Sequence, residues 1–80
     1  MEKLPTGVLE AIFWAAARDL EETTDTTMRV GLTRTMAVVG AILDLRWAAG
    51  EVSDDNPTLR AHRLILDAAL ESVTPQGGIH

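Results

Sequence analysis

The segment from residue 28 to residue 49 predicts one helix that carries apolar residues on two separate sides. At helical spacing its larger apolar residues form a first stripe: Met28, Leu32, Met36, Val39, Leu43 and Trp47. Smaller apolar residues predominate in a second stripe on another side: Val30, Ala37, Val38, Ala41, Leu45 and Ala48. A helix that is apolar on two sides needs two partners. Since only two other helical segments are present, we expect a second copy or a different protein to cover the second stripe.

Helical periodicity predicts three helices in a single all-α domain, at about residues 6–22, 26–49 and 57–73. The first helix has one apolar face, formed by Leu9, Ile12, Phe13, Ala16 and Leu20. The third has one formed by Leu59, His62, Leu66, Ala69, Leu70 and Val73. Proline and glycine follow the third helix, so residues 74–80 are predicted to be a flexible tail. We therefore expect a three-helix domain with a long central helix, assembled as a homodimeric helical bundle.

The predicted boundaries rest on residues with specific capping properties. Asp25 can accept hydrogen bonds from the first turn of the second helix. Gly50 supplies the left-handed conformation in which helices often end. Asn56 followed by Pro57 is typical of a helix start, because Asn caps the first turn and Pro occupies a position whose N–H has no helical partner.

Composition excludes several classes of protein. The chain has no cysteine, which rules out a disulfide staple and agrees with a reducing compartment. Its net charge of −5 argues against a dedicated nucleic-acid binder. Charged residues interrupt the richest apolar stretch, and residues 1–6 lack the pattern of a secretory signal. We expect a cytoplasmic protein, and the bias of six Arg to one Lys is typical of a GC-rich bacterial or phage genome.

Two glycines and three charged residues of the central helix point to an interface. Gly31 and Gly40 each cost roughly 1 kcal/mol in a helix, and close helix approach is the simplest reason to keep them. Asp44 lies between the two stripes, and Arg34 and Arg46 lie within or beside them. Each arginine either pairs with an acid across an interface or extends its stem to water. The predicted dimer interface comprises Val30, Arg34, Ala37, Val38, Ala41, Asp44, Leu45 and Ala48.

The sequence predicts neither a catalytic nor a metal or cofactor site. His62 lies on an apolar face, where a buried structural histidine is the usual outcome, and the only other histidine is His80. The Asp54-Asp55-Asn56 run lacks the ligand pattern of a calcium loop and is interpreted as a turn with a helix cap. No Ser-His-Asp arrangement is present, and three short helices leave little room for a catalytic cleft.

Trp14 is the best candidate for binding another protein. It projects away from the apolar face of its helix, towards Arg18, and aromatic residues beside arginine are typical of binding hot spots. The alternative is that the loop, the tail or a second copy covers Trp14. Leu64 on the third helix is likewise surrounded by charged residues, Arg60 among them. The predicted partner-binding residues are Trp14, Arg18, Arg60 and Leu64.

These patterns favour a non-catalytic helical protein that binds another protein and regulates or inhibits it, as small accessory proteins of bacteria and phages do. One alternative is a structural subunit of a larger helical assembly. Another is a carrier of an apolar small molecule, with a pocket lined by Met28, Met36 and Phe13. A DNA-binding regulator that uses Arg60 and Arg63 has least support, because acidic residues surround both.

Overall fold

The computed structural model describes residues 1–73, with side chains described up to residue 71. Its elements are α1 (Thr6–Glu22), α2 (Thr26–Ala48) and α3 (Pro57–Val73). The described part of the chain contains no strand, so the prediction of an all-α, three-helix domain is confirmed. The predicted flexible tail at 74–80 lies outside the described residues. No helix among those described combines the length and apolar character needed to cross a membrane.

The helix ends follow the local capping chemistry of the sequence. The Asp25 carboxylate accepts a hydrogen bond from the Met28 backbone N–H at 3.0 Å, as expected for an N-cap. Gly50, just beyond α2, has a φ of 82°, the left-handed conformation that glycine adopts most easily. At the start of α3 the Asn56 side chain accepts from the backbone N–H groups of Thr58 and Leu59, at 2.9 and 3.0 Å.

The core lies mainly between α1 and α2. Its buried apolar residues come from both helices, from the loop before α3 and from the first turn of α3: Leu9, Phe13, Ala16, Met36, Val39, Ile42, Leu43, Val52 and Leu59. The first stripe of α2 is buried only in its middle, because Met28 and Trp47 at its two ends are exposed. Ile42, which belongs to neither predicted stripe, is buried. The seam between α1 and α2 is therefore wider than the helical periodicity predicts.

The apolar face of α3 packs against the bundle only over its first half. Thr58, Leu59 and His62 are buried, whereas Leu66 and Leu70 are exposed. The expectation of a single face buried along α3 therefore holds only for its first half. An apolar cleft separates the second half of α3 from α1 and α2. Val73 is also predicted to lie on this face, but its side chain is outside the described part of the structure.

Two arginines of α2 bind backbone carbonyls of the N-terminal third of the chain. Arg29 donates to the carbonyl oxygens of Leu20 and Thr23, at 2.7 and 3.0 Å, and so satisfies acceptors at the end of α1. Arg46 donates to Thr6 Oγ1 and to the Glu2 carbonyl, at 2.9 and 2.8 Å, and also to the Leu4 carbonyl. Neither alternative predicted for Arg46 includes these contacts within the chain, which form because the segment before α1 folds back within its reach.

Candidate binding surface on α2 and α3

An open groove runs along α2 beside α3. Small and apolar residues of α2 form its floor and residues of α3 form one wall, enclosing a volume of about 580 Å³. Its lining comprises Ala37, Ala41, Asp44, Leu45, Trp47, Ala48, His62 and Leu66. Five of the predicted dimer-interface residues thus line one groove.

A second, more enclosed depression lies where all three helices face each other, and we call it the inner cleft. Its volume is about 280 Å³, and its lining is almost wholly apolar: Phe13, Leu20, Thr33, Met36, Ala37, His62, Ile65, Leu66 and Ala69. Ala37, His62 and Leu66 also line the groove, so the two depressions adjoin. The inner cleft contains Phe13 and Met36 of the pocket predicted for an apolar ligand, but exposed Met28 is not part of its lining.

His62 and Gly40 determine how closely α3 approaches α2. A Cβ atom at position 40 would overlap the imidazole ring of His62, so this approach requires glycine. A Cβ atom at position 31 would have no other atom within 4 Å, so no contact in the described residues explains why glycine is present there. The prediction of close helix packing is confirmed at Gly40 and not at Gly31.

The surroundings of His62 favour its neutral form. Burial lowers the pKa of His62 below its usual value, and the positive charge of Arg63 lowers it further. The Asp44 carboxylate opposes both effects by attracting the protonated ring. Because the pKa of His62 is lowered overall, the neutral ring packs against α2, and protonation at acidic pH would weaken this packing.

Asp44 and Arg63 join α2 to α3 at the edge of the groove. Arg63 Nη2 donates to Asp44 Oδ1 at 2.8 Å, and the side chain of Asp44 remains 44% exposed. The Arg63 guanidinium also lies over the Trp47 ring, 4.5 Å from its centroid. The indole N–H of Trp47 donates to Asp54 in the loop before α3. This polar cluster holds the first half of α3 in place and leaves the second Asp44 oxygen, Oδ2, without a partner among residues 1–73.

The second stripe of α2 is exposed along its length. Val30 and Val38 are nearly half exposed, Leu45 is 71% exposed, and Ala37, Ala41 and Ala48 are exposed as well. Arg34 lies within this stripe, also exposed, and makes no hydrogen bond or ion pair within residues 1–73. The stripe therefore faces away from the core, as the periodicity predicts.

Trp14 is bonded to the start of α3. Its indole N–H donates to Thr58 Oγ1 at 2.9 Å, and its ring packs edge-on against Phe13 with centroids 5.1 Å apart. The buried Thr58 hydroxyl in turn donates to the Glu10 carboxylate at 3.3 Å, and the Asn56 amide donates to the same carboxylate oxygen at 3.0 Å. About half of the Trp14 surface stays exposed. Trp14 thus has a structural contact that the sequence pattern did not predict.

The other predicted partner-binding residues lie apart from this network. Arg60 and Leu64 line a shallow polar depression together with Asp54, Asp55 and Asp67. Leu64 is 70% exposed. Arg18 is exposed on α1. The inner cleft, to which none of these four residues contributes, was not predicted as a partner site, because only the divergence of α3 from α2 creates it.

Comparisons with known proteins found no matching family model, no matching curated protein and no matching solved structure. Among the described residues, no group of three or more His, Cys, Asp or Glu side chains is arranged to hold a metal ion.

Proposed function

We propose that this protein is a non-catalytic helical module that binds another protein through the inner cleft and so regulates or inhibits it. The observation that carries this proposal is the cleft itself, an apolar depression between three helices with Leu66 exposed at its edge. Concave apolar sites of this kind bind ligands because apolar surface leaves water on contact.

The shape of the cleft favours an amphipathic helix as the part of the partner that binds. A helix laid beside α3 can place one large apolar side chain in the cleft, and its neighbours one turn away can cover Leu66 and Leu70. Helices bind hydrophobic grooves in this way, with anchors spaced three or four residues apart. The cleft volume of about 280 Å³ provides the space for such an anchor.

The polar side chains that join the helices are bonded to one another, which supports binding rather than catalysis. Arg63 is engaged with Asp44 and Trp47, and Glu10 is engaged with Asn56 and Thr58. These groups hold the helices together, and His62 packs on Gly40. We propose that this binding takes place in the cytoplasm, because a chain without cysteine forms no disulfide and does not need an oxidising compartment.

Two neighbouring alanines of α3 provide a matched test. Ala69 lines the inner cleft, whereas Ala68 is exposed and is absent from its lining. Ala69→Trp should fill the cleft, and Ala68→Trp should add the same side chain facing solvent. In affinity capture from bacterial lysate, a protein retained by the wild type and by A68W but lost with A69W supports the proposal. Equal capture by both variants, with helicity unchanged by circular dichroism, contradicts it.

The lining of the inner cleft also supports a second candidate function, that of a small-molecule carrier. A depression with almost no polar surface also fits a small apolar molecule, so the carrier hypothesis retains Phe13 and Met36 as its contacts. Native mass spectrometry of the purified protein distinguishes the two candidates. A carrier shows a bound mass that disappears on denaturation and in A69W, whereas a protein-binding module shows no such mass.

A further inference from the structure

We infer that α2 pairs with α2 of a second copy in antiparallel orientation, about a twofold axis that passes between Ala37 and Val38. The surface that would be buried is the second stripe, which faces solvent. This pairing goes beyond the proposed function, since it concerns a second copy of the chain and does not depend on the inner cleft being occupied.

The exposed stripe is long enough and apolar enough to need a cover. It follows α2 from Val30 to Ala48, which is about 27 Å at the helical rise. Val30, Val38 and Leu45 present large apolar surfaces along that length, and alanines lie between them. Monomeric proteins rarely expose large apolar patches, and apart from Arg34 this stripe consists of apolar residues.

The order of residues along the stripe makes it complementary to itself when reversed. With the axis between Ala37 and Val38, Val30 lies opposite Leu45 of the second copy, and Ala37 lies opposite Val38 of the second copy. The long side chain of Arg34 lies opposite the small side chain of Ala41. Arg34 and Val38 thus each meet an alanine, whereas Val30 meets Leu45. The alanines at the centre of the contact allow the helix axes to approach to about 8 Å.

Charge selects the antiparallel arrangement over the parallel one. In a parallel pair, Arg34 would lie opposite Arg34 in an apolar interface, where like charges repel strongly. In the antiparallel pair, Asp44 lies three residues beyond the position opposite Arg34, about 4.5 Å along the axis. An arginine side chain spans that distance. The twofold axis forms this Arg34–Asp44 pair twice.

The two groups are available for this contact. Arg34 is exposed and has no polar partner within residues 1–73. Asp44 accepts from Arg63 through Oδ1 only, and its side chain remains 44% exposed at the edge of the groove. The bond to Arg63 orients the carboxylate, so less conformational entropy is lost when Arg34 of a second copy binds it.

Cysteine cross-linking tests the orientation directly, because the natural chain contains no cysteine. The variants Val30→Cys and Leu45→Cys are purified separately and then oxidised alone and as a mixture. Antiparallel pairing predicts a disulfide-linked dimer in the mixture and almost none in either variant alone. Like positions would be about 22 Å apart in the antiparallel pair, whereas a disulfide needs Cα atoms closer than about 7 Å.

Other outcomes overturn the inference. Disulfide dimers of V30C alone and L45C alone, with none between the variants, would show a parallel pair. Absence of cross-links in all three samples, with a monomeric mass by light scattering at the same concentration, would show that the stripe is not a contact between copies. Neither result depends on whether A69W affects partner capture, so this inference and the proposed function fail separately.

A charge reversal tests the ion pair. Arg34→Glu places a negative charge beside Asp44 of the second copy at both symmetric positions. We expect the dimer dissociation constant from sedimentation equilibrium to rise about tenfold or more. Arg18→Glu makes the same charge change on the exposed side of α1 and should leave the constant unchanged. An unchanged constant in R34E, or an equal rise in both variants, would remove Arg34 from the interface.

Discussion

The imidazole ring of His62 packs directly on the backbone of Gly40, in the space that a Cβ atom would occupy. This contact determines the distance between α2 and α3 at the middle of the bundle. Next to this contact, Asp44 and Trp47 of α2 bind Arg63 in the first half of α3. Beyond it, α3 leaves the bundle and the inner cleft opens. The candidate binding surface therefore begins at this one pair of residues.

Gly40→Ala should destabilise the protein. The added methyl group overlaps the His62 ring, and the cost of overpacking, about 1 to 3 kcal/mol, exceeds the gain in helix propensity of about 1 kcal/mol. Gly31→Ala is the matched control, because nothing lies within 4 Å of its new Cβ atom. Thermal and urea unfolding should show a less stable G40A and an equally or more stable G31A. Equal stabilisation of both variants would mean that His62 does not pack on Gly40.

Stability should fall as the solution is acidified below the usual pKa of histidine. Burial lowers the pKa of His62 in the folded protein, so the unfolded chain binds a proton at a higher pH than the folded chain does. The contribution of neutral His62 is complete above about pH 6.5 and is lost as the pH falls towards the lowered folded pKa. His62→Gln should flatten the dependence of the unfolding free energy on pH in this range. An unchanged slope in H62Q would assign the effect to other groups.

Arg46→Leu should release the segment before α1. The guanidinium binds Thr6 Oγ1 and the carbonyls of Glu2 and Leu4, and leucine keeps the apolar stem without the donors. A hydrogen bond from a charged group contributes about 1.5 to 3 kcal/mol when buried, and partial exposure places this loss towards the lower end. Hydrogen exchange of the Leu4 amide should accelerate. Arg18→Leu, on the exposed side of α1, should leave that exchange rate unchanged.

The bond between Trp14 and Thr58 should appear as a coupling in a double-mutant cycle. Trp14→Phe keeps an aromatic ring against Phe13 but loses the indole N–H, and Thr58→Val loses the accepting oxygen. We expect a coupling of about 0.5 to 1.5 kcal/mol in unfolding free energy. If the two substitutions are additive, the bond contributes nothing to stability. Partner capture by W14F, measured in parallel, shows whether the exposed half of the ring also contacts another protein.

The sequence by itself determined the helices and their ends. Asp25, Gly50 and Asn56 act on backbone groups within a few residues of themselves, so their effects do not depend on how distant segments meet. The apolar face of α1 and the exposed stripe of α2 also follow from spacing alone. A period of 3.6 residues decides which side chains share a face before any helix is packed.

Only the tertiary structure decided which polar groups meet and where the bundle opens. Asp44 accepts a hydrogen bond from Arg63, nineteen residues away, and Arg46 donates to the Leu4 carbonyl, forty-two residues away. Such contacts depend on how the helices cross, to which every core side chain contributes. The same crossing buries His62 and leaves Leu70 exposed, although both lie on the predicted apolar face of α3. Helical periodicity assigns residues to a face, but a second helix must run alongside that face to bury it. α2 lies alongside α3 as far as the contact between Gly40 and His62, and the rest of the face stays exposed.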